Sequence, residues 1–157
     1  MSAWLITGAA GFIGANFLRF ALECKVDTIV ALDALTYAGN FENVEHLVDG
    51  QRVKFYKGDI CDSALVRRLF DDYSFDCVVH FAAESHVDRS ILGPLPFLRT
   101  NIEGTLTLIE AARWAWKNKR EPRFIHVSTD EVFGDLGPDD PPFSERSAYR
   151  PSRPWTH

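Results

Sequence analysis

Five short apolar runs rich in Val, Ile and Phe alternate along the chain with longer segments that are polar on one side. They occupy residues 3–8, 27–33, 53–59, 76–83 and 123–129. Most are continuously apolar at their centres, which is the pattern of parallel strands covered by helices on both faces. The runs therefore predict a five-stranded parallel sheet.

Two of the intervening segments have the period of amphipathic helices. In residues 12–23 the apolar stripe is formed by Ile13, Phe17, Phe20 and Ala21. In residues 62–73 it is formed by Leu65, Leu69 and Phe70, and Asp62 or Ser63 is available as the N-cap. Strands joined by such crossovers predict a doubly wound α/β fold of Rossmann type, with strand order 3-2-1-4-5.

Residues 96–116 predict a helix that is apolar on two sides. One row consists of Leu98, Ile102, Leu106, Ile109, Ala112 and Trp116, and the second consists of Leu108, Ala111 and Ala115. One row can cover the sheet. The other needs a neighbour in the chain or in a partner subunit, because a helix apolar on two faces is rarely left in water.

Composition narrows the class of protein. A chain of 157 residues with 46% hydrophobic content has material for one core. The net charge of -5 is spread along the chain, which argues against nucleic acid or a membrane surface as partner. The three cysteines show no CxxC spacing, the first residues lack a basic region ahead of an apolar one, and no apolar run reaches membrane-spanning length. These features predict a soluble cytoplasmic protein with reduced, buried thiols.

The first glycines of the chain follow the first predicted strand. Gly8, Gly11 and Gly14 have the GxxGxxG spacing and lie between that strand and the first helix. Gly8 permits a tight turn, Gly11 lets the backbone approach a pyrophosphate, and Gly14 lets helix and strand pack closely. In this context the motif predicts a dinucleotide site at the helix N-terminus.

Residues at the ends of the other strands extend this site. Asp33 ends the second strand nineteen residues after Gly14, where a carboxylate accepts hydrogen bonds from a ribose and repels a 2'-phosphate. This favours NAD over NADP. Asp59 ends the third strand and could contact adenine, while Ala82 and Ala83 end the fourth and allow close approach of a cofactor.

Several motifs of the chain resemble one family. Residues 32–40 (LDALTYAGN), 58–62 (GDICD), 80–91 (HFAAESHVDRSI), 99–105 (RTNIEGT) and 126–137 (HVSTDEVFGDLG) resemble the dTDP-glucose 4,6-dehydratase family of extended short-chain dehydrogenase/reductases. The resemblance covers nearly the whole chain. It implies a lyase reaction on dTDP-glucose: NAD oxidises the sugar at C4, water is eliminated across C5 and C6, and the hydride returns to C6.

The resemblance also assigns the residues. It implies that Asp130 protonates the leaving hydroxyl, that Glu131 removes the C5 proton, and that Thr129 and Ser85 contact the sugar. Two neighbouring carboxyl groups in a desolvated cleft resist ionising together, but the sequence leaves open which one holds the proton. The NAD site then comprises Gly8, Gly11, Phe12, Ile13, Gly14, Asp33, Leu35, Thr36, Asp59, Ile60, Phe81, Ala82, Ala83 and Thr100.

The histidines do not suggest a metal. His80, His86 and His126 share no helical metal-ligand spacing. We interpret them as core or supporting residues and predict no metal site.

The chain departs from the family in its oxidation chemistry. The family uses a tyrosine followed four residues later by a lysine, and none of Tyr37, Tyr56, Tyr73 and Tyr149 has that partner. Trp155 stands where the family tyrosine is expected. We therefore expect the chain to correspond to the N-terminal part of the family, without the C-terminal substrate domain, and to be inactive alone.

This correspondence gives an expected organisation. Residues 1–137 would form the NAD-binding domain, and residues 138–157, which hold five of the eight prolines, a loop or disordered tail. The family forms homodimers through the 96–116 helix, so we expect self-association or aggregation through Leu108, Ala111 and Ala115.

Two alternatives remain. One is a non-catalytic NAD-binding module, which the retained Asp130 and Glu131 disfavour because such a module has no use for an acid–base pair. The other is a different nucleotide-sugar dehydratase or epimerase, which the segments DALTYAGN and TDEVFG disfavour.

Overall fold

The computed structural model describes residues 2–86 and 93–150. The chain divides into two compact units, Met1–His126 and Val127–His157. The predicted replacement of the family tyrosine by Trp155 lies outside the described residues, as does the last part of the predicted tail.

The first unit is built on a five-stranded sheet. The strands are β1 (Ala3–Thr7), β2 (Thr28–Asp33), β3 (Val53–Lys57), β4 (Cys77–His80) and β5 (Arg123–His126). All pair in parallel, and their spatial order is β3-β2-β1-β4-β5. The predicted fold class and strand order are confirmed.

Both faces of the sheet are covered. Successive residues of a strand point to opposite faces, so Leu5 and Ile6 of β1 enter different core clusters. Val30 shares the cluster of Leu5, while Ile29 shares that of Ile6. This two-sided burial explains the continuously apolar centres of the predicted strands.

The helices of this unit are α1 (Phe12–Glu23), α2 (Ser63–Asp72), α3 (Leu95–Leu98) and α4 (Thr105–Ala115), with a π-helical segment, Arg99–Gly104, between α3 and α4. Short 3-10 helices occupy Phe41–Asn43 and Glu45–Leu47. Asp62 caps α2 by accepting hydrogen bonds from the amides of Ala64 and Leu65. The predicted 96–116 helix is thus interrupted by a π-helical segment that the apolar pattern does not reveal.

The predicted apolar stripe of α1 is wrong in part. Ile13 and Phe20 are exposed, and the helix buries Gly14, Ala15, Leu18 and Ala21. A β-carbon on Gly14 would overlap the carbonyl oxygen of Gly8, so the helix touches the strand-end turn at this glycine. That contact brings the side of α1 that carries Gly14, Ala15 and Ala21, together with Leu18, against the sheet.

The sheet-facing side of the long helix differs from the predicted first row. Leu108 is 0% exposed, and Ala111 and Ala115 pack against the same core cluster, so the second row covers the sheet together with Ala112 and Trp116, the last two members of the first row. Ile102 is 61% exposed, and its row also leaves Leu98, Leu106 and Ile109 in solvent. The expectation that Leu108, Ala111 and Ala115 would be left for a partner is therefore wrong.

The fifth strand is shorter than predicted. Within the described residues β5 pairs only with β4, and that ladder ends where His80 meets His126. Residues 127–129 have no strand partner and leave the sheet, so the segment before Asp130 is not a buried strand. Ile125 and Val127 are both exposed, in keeping with an edge position.

Smaller expectations also change. Cys77 is buried, but Cys24 is exposed, and all three thiols are free. His80 is a core residue as expected, whereas His86 and His126 are exposed. Among the helices of the described ranges, none is long and apolar enough to cross a membrane.

The second unit contains a 3-10 helix, Asp130–Phe133. The ring of Phe133 stacks on Tyr149, with 5.6 Å between centroids, and also contacts Phe143. The amide of Arg150 donates to the carbonyl of Val132 at 3.1 Å. From residue 134 to residue 150, the described part of this unit consists of turns and irregular chain.

Candidate functional site

The turn after β1 leaves a concave backbone at the carboxyl edge of the sheet. Gly8 has a φ of +66°, and its amide donates to the carbonyl of Leu32 at 2.9 Å. A β-carbon at Gly8 would lie 2.6 Å from the amide nitrogen of Ala82. Glycine is therefore required at position 8 for two reasons, its backbone conformation and the close approach of the loop after β4.

The N-terminus of α1 opens into this turn. Gly11 is the N-cap and has no side chain with which to cap the first-turn amides. Those amides and the positive end of the helix dipole are features that favour an anion.

Asp33 fixes the adjoining loops. Asp33 as a residue is 8% exposed, and its carboxylate accepts two backbone hydrogen bonds, from the amide of Ala10 at 2.8 Å and from that of Leu35 at 2.7 Å. Leu35 has a φ of +54°, a conformation that costs a bulky residue roughly 1–2 kcal/mol. The bond to Asp33 helps to hold it there. The side chain predicted to bind a ribose thus also organises the glycine turn and the β2 loop.

One cavity collects most of the predicted cofactor residues. Ten of them line it: Gly8, Gly11, Asp33, Thr36, Asp59, Ile60, Phe81, Ala82, Ala83 and Thr100. They come from the loops after β1, β2, β3 and β4 and from the π-helical segment. The first unit therefore brings together residues up to 92 positions apart in sequence, from Gly8 to Thr100.

Four predicted residues do not line this cavity. Gly14 lies behind it, in contact with Gly8. Phe12 is 83% exposed and Ile13 is also exposed, so their side chains contribute little to its wall. Leu35 takes part through its amide to Asp33.

Six lining residues were not predicted: Leu32, Ala34, Ala38, Gly39, Gly58 and Glu84. Two of them are glycines at positions where a β-carbon would not fit. A β-carbon on Gly39 would lie 2.5 Å from the carboxylate of Asp33, and one on Gly58 would overlap Leu65. Their sequence signal was a glycine near each strand-end aspartate, since Gly39 follows Asp33 by six residues and Gly58 directly precedes Asp59.

The π-helical segment places Thr100 in the cavity wall. Gly104, at its end, faces Ile60, and a β-carbon there would lie 2.5 Å from the Ile60 side chain. The helix can approach the β3 loop this closely because position 104 has no side chain. Single π-helical turns of this kind often occur at functional sites.

The predicted acid–base residues lie in the second unit. Thr129 precedes the 3-10 helix, and its hydroxyl accepts a long hydrogen bond from the amide of Glu131 at 3.5 Å and donates to Asp130 Oδ1 at 3.3 Å. Asp130 and Glu131 are adjacent, and both are exposed. Ser85, the predicted substrate contact in the first unit, is exposed as well. Both carboxylates are therefore accessible to solvent in this chain.

His80 is a fully buried titratable group of the first unit. It is 1% exposed, and its ring hydrogen-bonds Thr7 at 2.7 Å and Thr105 at 3.0 Å. Burial lowers the pKa of His80 to about 4, assisted by repulsion from the nearby His126 ring. The imidazole is therefore neutral at physiological pH.

We expect this histidine to make folding sensitive to acid. The unfolded chain binds the proton near the ordinary pKa of 6.5 and the folded chain only near 4, so the free energy of unfolding falls as pH drops through this window. The full loss is about 3 kcal/mol, of which about 2 kcal/mol falls between pH 7.5 and 5. Urea unfolding of the wild type and of His80→Gln at both pH values measures it.

His46→Gln is the control for this experiment, because His46 is exposed. It should keep the pH dependence of the wild type, while His80→Gln should lose about 2 kcal/mol of it. An unchanged pH dependence in His80→Gln would show that the buried imidazole is not the responsible group.

Within the described residues, no group of three or more His, Cys, Asp or Glu side chains is arranged to hold a metal ion.

Comparison with known proteins places these features in a family context. The profile of the family described as GDP-mannose 4,6 dehydratase matches residues 5–157. Curated relatives include a dTDP-glucose 4,6-dehydratase of Salmonella typhimurium, 48% identical over 97% of this chain and 46% of the relative. Another, from Xanthomonas campestris pv. campestris, is 50% identical over 99% of this chain and 45% of the relative.

Solved structures agree in fold. A dTDP-glucose 4,6-dehydratase of Streptomyces venezuelae, crystallised with NAD, is 44% identical, with a TM-score of 0.82 over 95% of this chain and 45% of that one. A UDP-Glc/GlcNAc 4-epimerase of Campylobacter jejuni is 35% identical, with a TM-score of 0.83 over 96% of this chain and 44% of that one. The chain therefore spans a little under half the length of the relatives that it matches.

Proposed function

The chain belongs to the GDP-mannose 4,6 dehydratase family, and on that premise we propose that its first unit binds NAD as the cofactor-binding part of a nucleotide-sugar 4,6-dehydratase. The observation that carries the proposal is the glycine turn. At Gly8 and Gly14 any side chain would collide with backbone, and the concave surface that results is open to a ligand at the edge of the sheet. These residues fit a dinucleotide.

The pyrophosphate would lie on the Gly8–Gly11 turn. There the first-turn amides of α1, including those of Phe12 and Ile13, can donate to phosphate oxygens, while the side chains of these two residues point to solvent. This accounts for two predicted residues that do not line the cavity. The adenine would lie toward Asp59 and Ile60, which end the β3 side of the same cavity.

Asp33 would accept hydrogen bonds from the adenosine ribose. Each of its oxygens already holds one backbone amide and retains a second lone pair for a ribose hydroxyl. A 2'-phosphate at this position would meet a fixed negative charge, which supports NAD over NADP as cofactor.

We propose dTDP-glucose as the substrate of the whole protein. The curated relatives named above support it, because they are dTDP-glucose 4,6-dehydratases at 48% and 50% identity. NAD supplies the hydride acceptor and donor. The chain's own part in the elimination would be proton transfer, with Asp130 giving a proton to the leaving hydroxyl, Glu131 taking one from C5, and Thr129 and Ser85 orienting the sugar.

The polypeptide of 157 residues is expected to bind NAD without converting the sugar. Removal of the C4 hydroxyl proton in this superfamily depends on the tyrosine–lysine pair, which these residues do not contain. Loss of one catalytic proton acceptor typically lowers the rate by about a hundredfold to ten-thousandfold.

A chimera tests the proposed reaction. This chain replaces the matching part of the Salmonella relative, 46% of whose length it covers, and the remainder of that relative is kept. The remainder is expected to supply the tyrosine–lysine pair. We expect the chimera to release a 4-keto-6-deoxy product, detected by mass spectrometry as loss of water from dTDP-glucose. Glu131→Gln should lower its kcat by about a hundredfold or more.

Glu145→Gln is the matched control, since Glu145 is an exposed carboxylate of the same unit. It should leave kcat unchanged. A folded chimera that binds NAD but turns over equally well with Glu131→Gln would contradict the assigned role of Glu131.

We also propose that the chain associates with itself through the exposed row of its long helix, Leu98, Ile102, Leu106 and Ile109. These side chains form one side of the π-helical segment and its flanking helices, where an apolar stripe in water favours a partner. A monomeric mass by light scattering at high concentration would count against it.

A further inference from the structure

A chain of polar side chains runs behind the wall of the cavity. Thr7 Oγ1 lies 2.7 Å from Nδ1 of His80, and Nε2 of His80 lies 3.0 Å from Oγ1 of Thr105. The Thr105 hydroxyl in turn lies 2.8 Å from the carbonyl oxygen of Asn101. These contacts connect the ends of β1 and β4 with the π-helical segment.

Counting the available protons assigns a donor and an acceptor to every hydrogen bond of this network. The only proton of the Thr105 hydroxyl is donated to the Asn101 carbonyl, so this hydroxyl accepts from His80 Nε2–H. His80 therefore carries its proton on Nε2, and its Nδ1 accepts from the Thr7 hydroxyl. Thr7 Oγ1 is then free to accept from the amide of Ala82, 3.4 Å away.

All members of this network except Thr105 line the cavity or are next to a residue that does. Thr7 precedes Gly8, His80 precedes Phe81, Asn101 follows Thr100, and Ala82 itself lines the wall. The Asn101 side chain also accepts from the amide of Glu84 at 2.8 Å and donates to its carbonyl at 2.9 Å, which fixes another lining residue. The cavity wall is thus held in place by a second layer of directed hydrogen bonds.

An apolar residue could fill the volume of His80 without the cost of burying two polar nitrogens. His80 is 1% exposed and Thr7 is 0% exposed. Burying their polar atoms destabilises the fold unless every one of these atoms has a hydrogen-bond partner in the network. A network that is satisfied at every atom fixes distances that apolar packing leaves adjustable.

We propose that His80 is a positioning residue for the cofactor site, and that its single tautomer sets the spacing between the Gly8 turn, Ala82 and the segment that carries Thr100. This role rests on the proposed binding of NAD. It predicts that breaking the bond between His80 and Thr105 weakens NAD binding in a chain that remains folded.

Thr105→Val tests this role because valine keeps the shape of threonine and removes the hydroxyl. Thr107→Val is the matched control, since the Thr107 hydroxyl also bonds the carbonyl four residues earlier, at 2.9 Å from Glu103, but is not part of the network. Two quantities are measured on the full chain: the Kd for NAD by calorimetry and the 15N shifts of the His80 imidazole by NMR.

Thr105→Val is expected to raise the Kd for NAD by about tenfold or more and to perturb the Nε2 signal of His80. Thr107→Val should leave both unchanged, and Thr105→Ser, which restores the hydroxyl, should recover the wild-type Kd. If Thr105→Val does not fold, His80→Gln provides the second variant. The glutamine amide can replace Nε2–H as donor to Thr105, but it cannot replace Nδ1 as acceptor from Thr7. We expect His80→Gln to bind NAD about fivefold or more weakly than the wild type.

A wild-type Kd in a folded variant whose His80 signals are perturbed would overturn the positioning role and leave a purely structural one. Failure of the wild type to bind NAD would instead overturn the proposed function, and the positioning role with it. The 15N spectrum of the wild type tests the assigned His80 tautomer separately from NAD binding, because a protonated Nε2 is visible whether or not NAD binds.

Discussion

Gly8→Ala is expected to weaken NAD binding severely. Its β-carbon would lie 2.6 Å from the amide nitrogen and 2.9 Å from the α-carbon of Ala82, and both are backbone atoms that cannot move aside as a side chain could. The φ of +66° adds about 1–2 kcal/mol of conformational cost. The turn must open or the β4 loop must shift, and either change removes the surface for the pyrophosphate, so the Kd for NAD should rise by about a hundredfold or more.

Gly50→Ala separates the clash from the conformational cost. Gly50 has a similar φ of +70°, but a β-carbon there would have no atom within 4 Å. This variant should lose about 1–2 kcal/mol of stability and keep the wild-type Kd for NAD, measured by calorimetry. Equal Kd values for folded Gly8→Ala and the wild type would show that the glycine turn is not the cofactor site.

Asp33→Asn is expected to weaken NAD binding and relax the discrimination against NADP. An asparagine has one acceptor oxygen, so it can serve either the Ala10 amide or the Leu35 amide but not both. One buried donor is left unsatisfied, the β2 loop loosens, and the negative charge that repels a 2'-phosphate is removed. We expect the Kd for NAD to rise by about tenfold to a hundredfold and the ratio of the NADP and NAD values to fall toward about one.

Asp49→Asn is the control for this substitution. The Asp49 carboxylate likewise accepts backbone hydrogen bonds, from Gln51, Arg52 and Val53, but it belongs to the turn before β3 and does not line the cavity. It should lower stability without changing the preference between the two cofactors. If Asp33→Asn also left that preference unchanged, Asp33 would not be the residue that excludes NADP.

The sequence predicts the sheet and its strand order well because these depend on signals that lie within each segment. The apolar centres of β1 and β2 are visible as runs, since Leu5, Ile6, Ile29 and Val30 are all buried by the two faces together. Where only one face of an element is covered, the choice of face depends on distant contacts. Leu108 and Ile102 are equally apolar, but only Leu108 faces the sheet.

The site is predictable to a similar degree. Glycine spacing and strand-end positions identify six residues that line one cavity, because parallel strands bring their carboxyl ends to the same edge: Gly8, Gly11, Asp33, Asp59, Ala82 and Ala83. The family resemblance adds Thr36, Ile60, Phe81 and Thr100. The π-helical segment at Thr100 and the double backbone bonding of Asp33 were not predictable. Both depend on the loop of another strand, through Gly104 on Ile60 and through Ala10 on Asp33.

Calorimetric titration of the purified chain with NAD, with ADP-ribose as the second ligand, tests the central claim most directly. The cavity in the first unit is proposed to hold the adenosine and pyrophosphate, so ADP-ribose lacks only the nicotinamide and should bind with a Kd within about tenfold of that for NAD. The account predicts one site per chain for each ligand. A folded chain that binds neither ligand at concentrations of about 1 mM would contradict it.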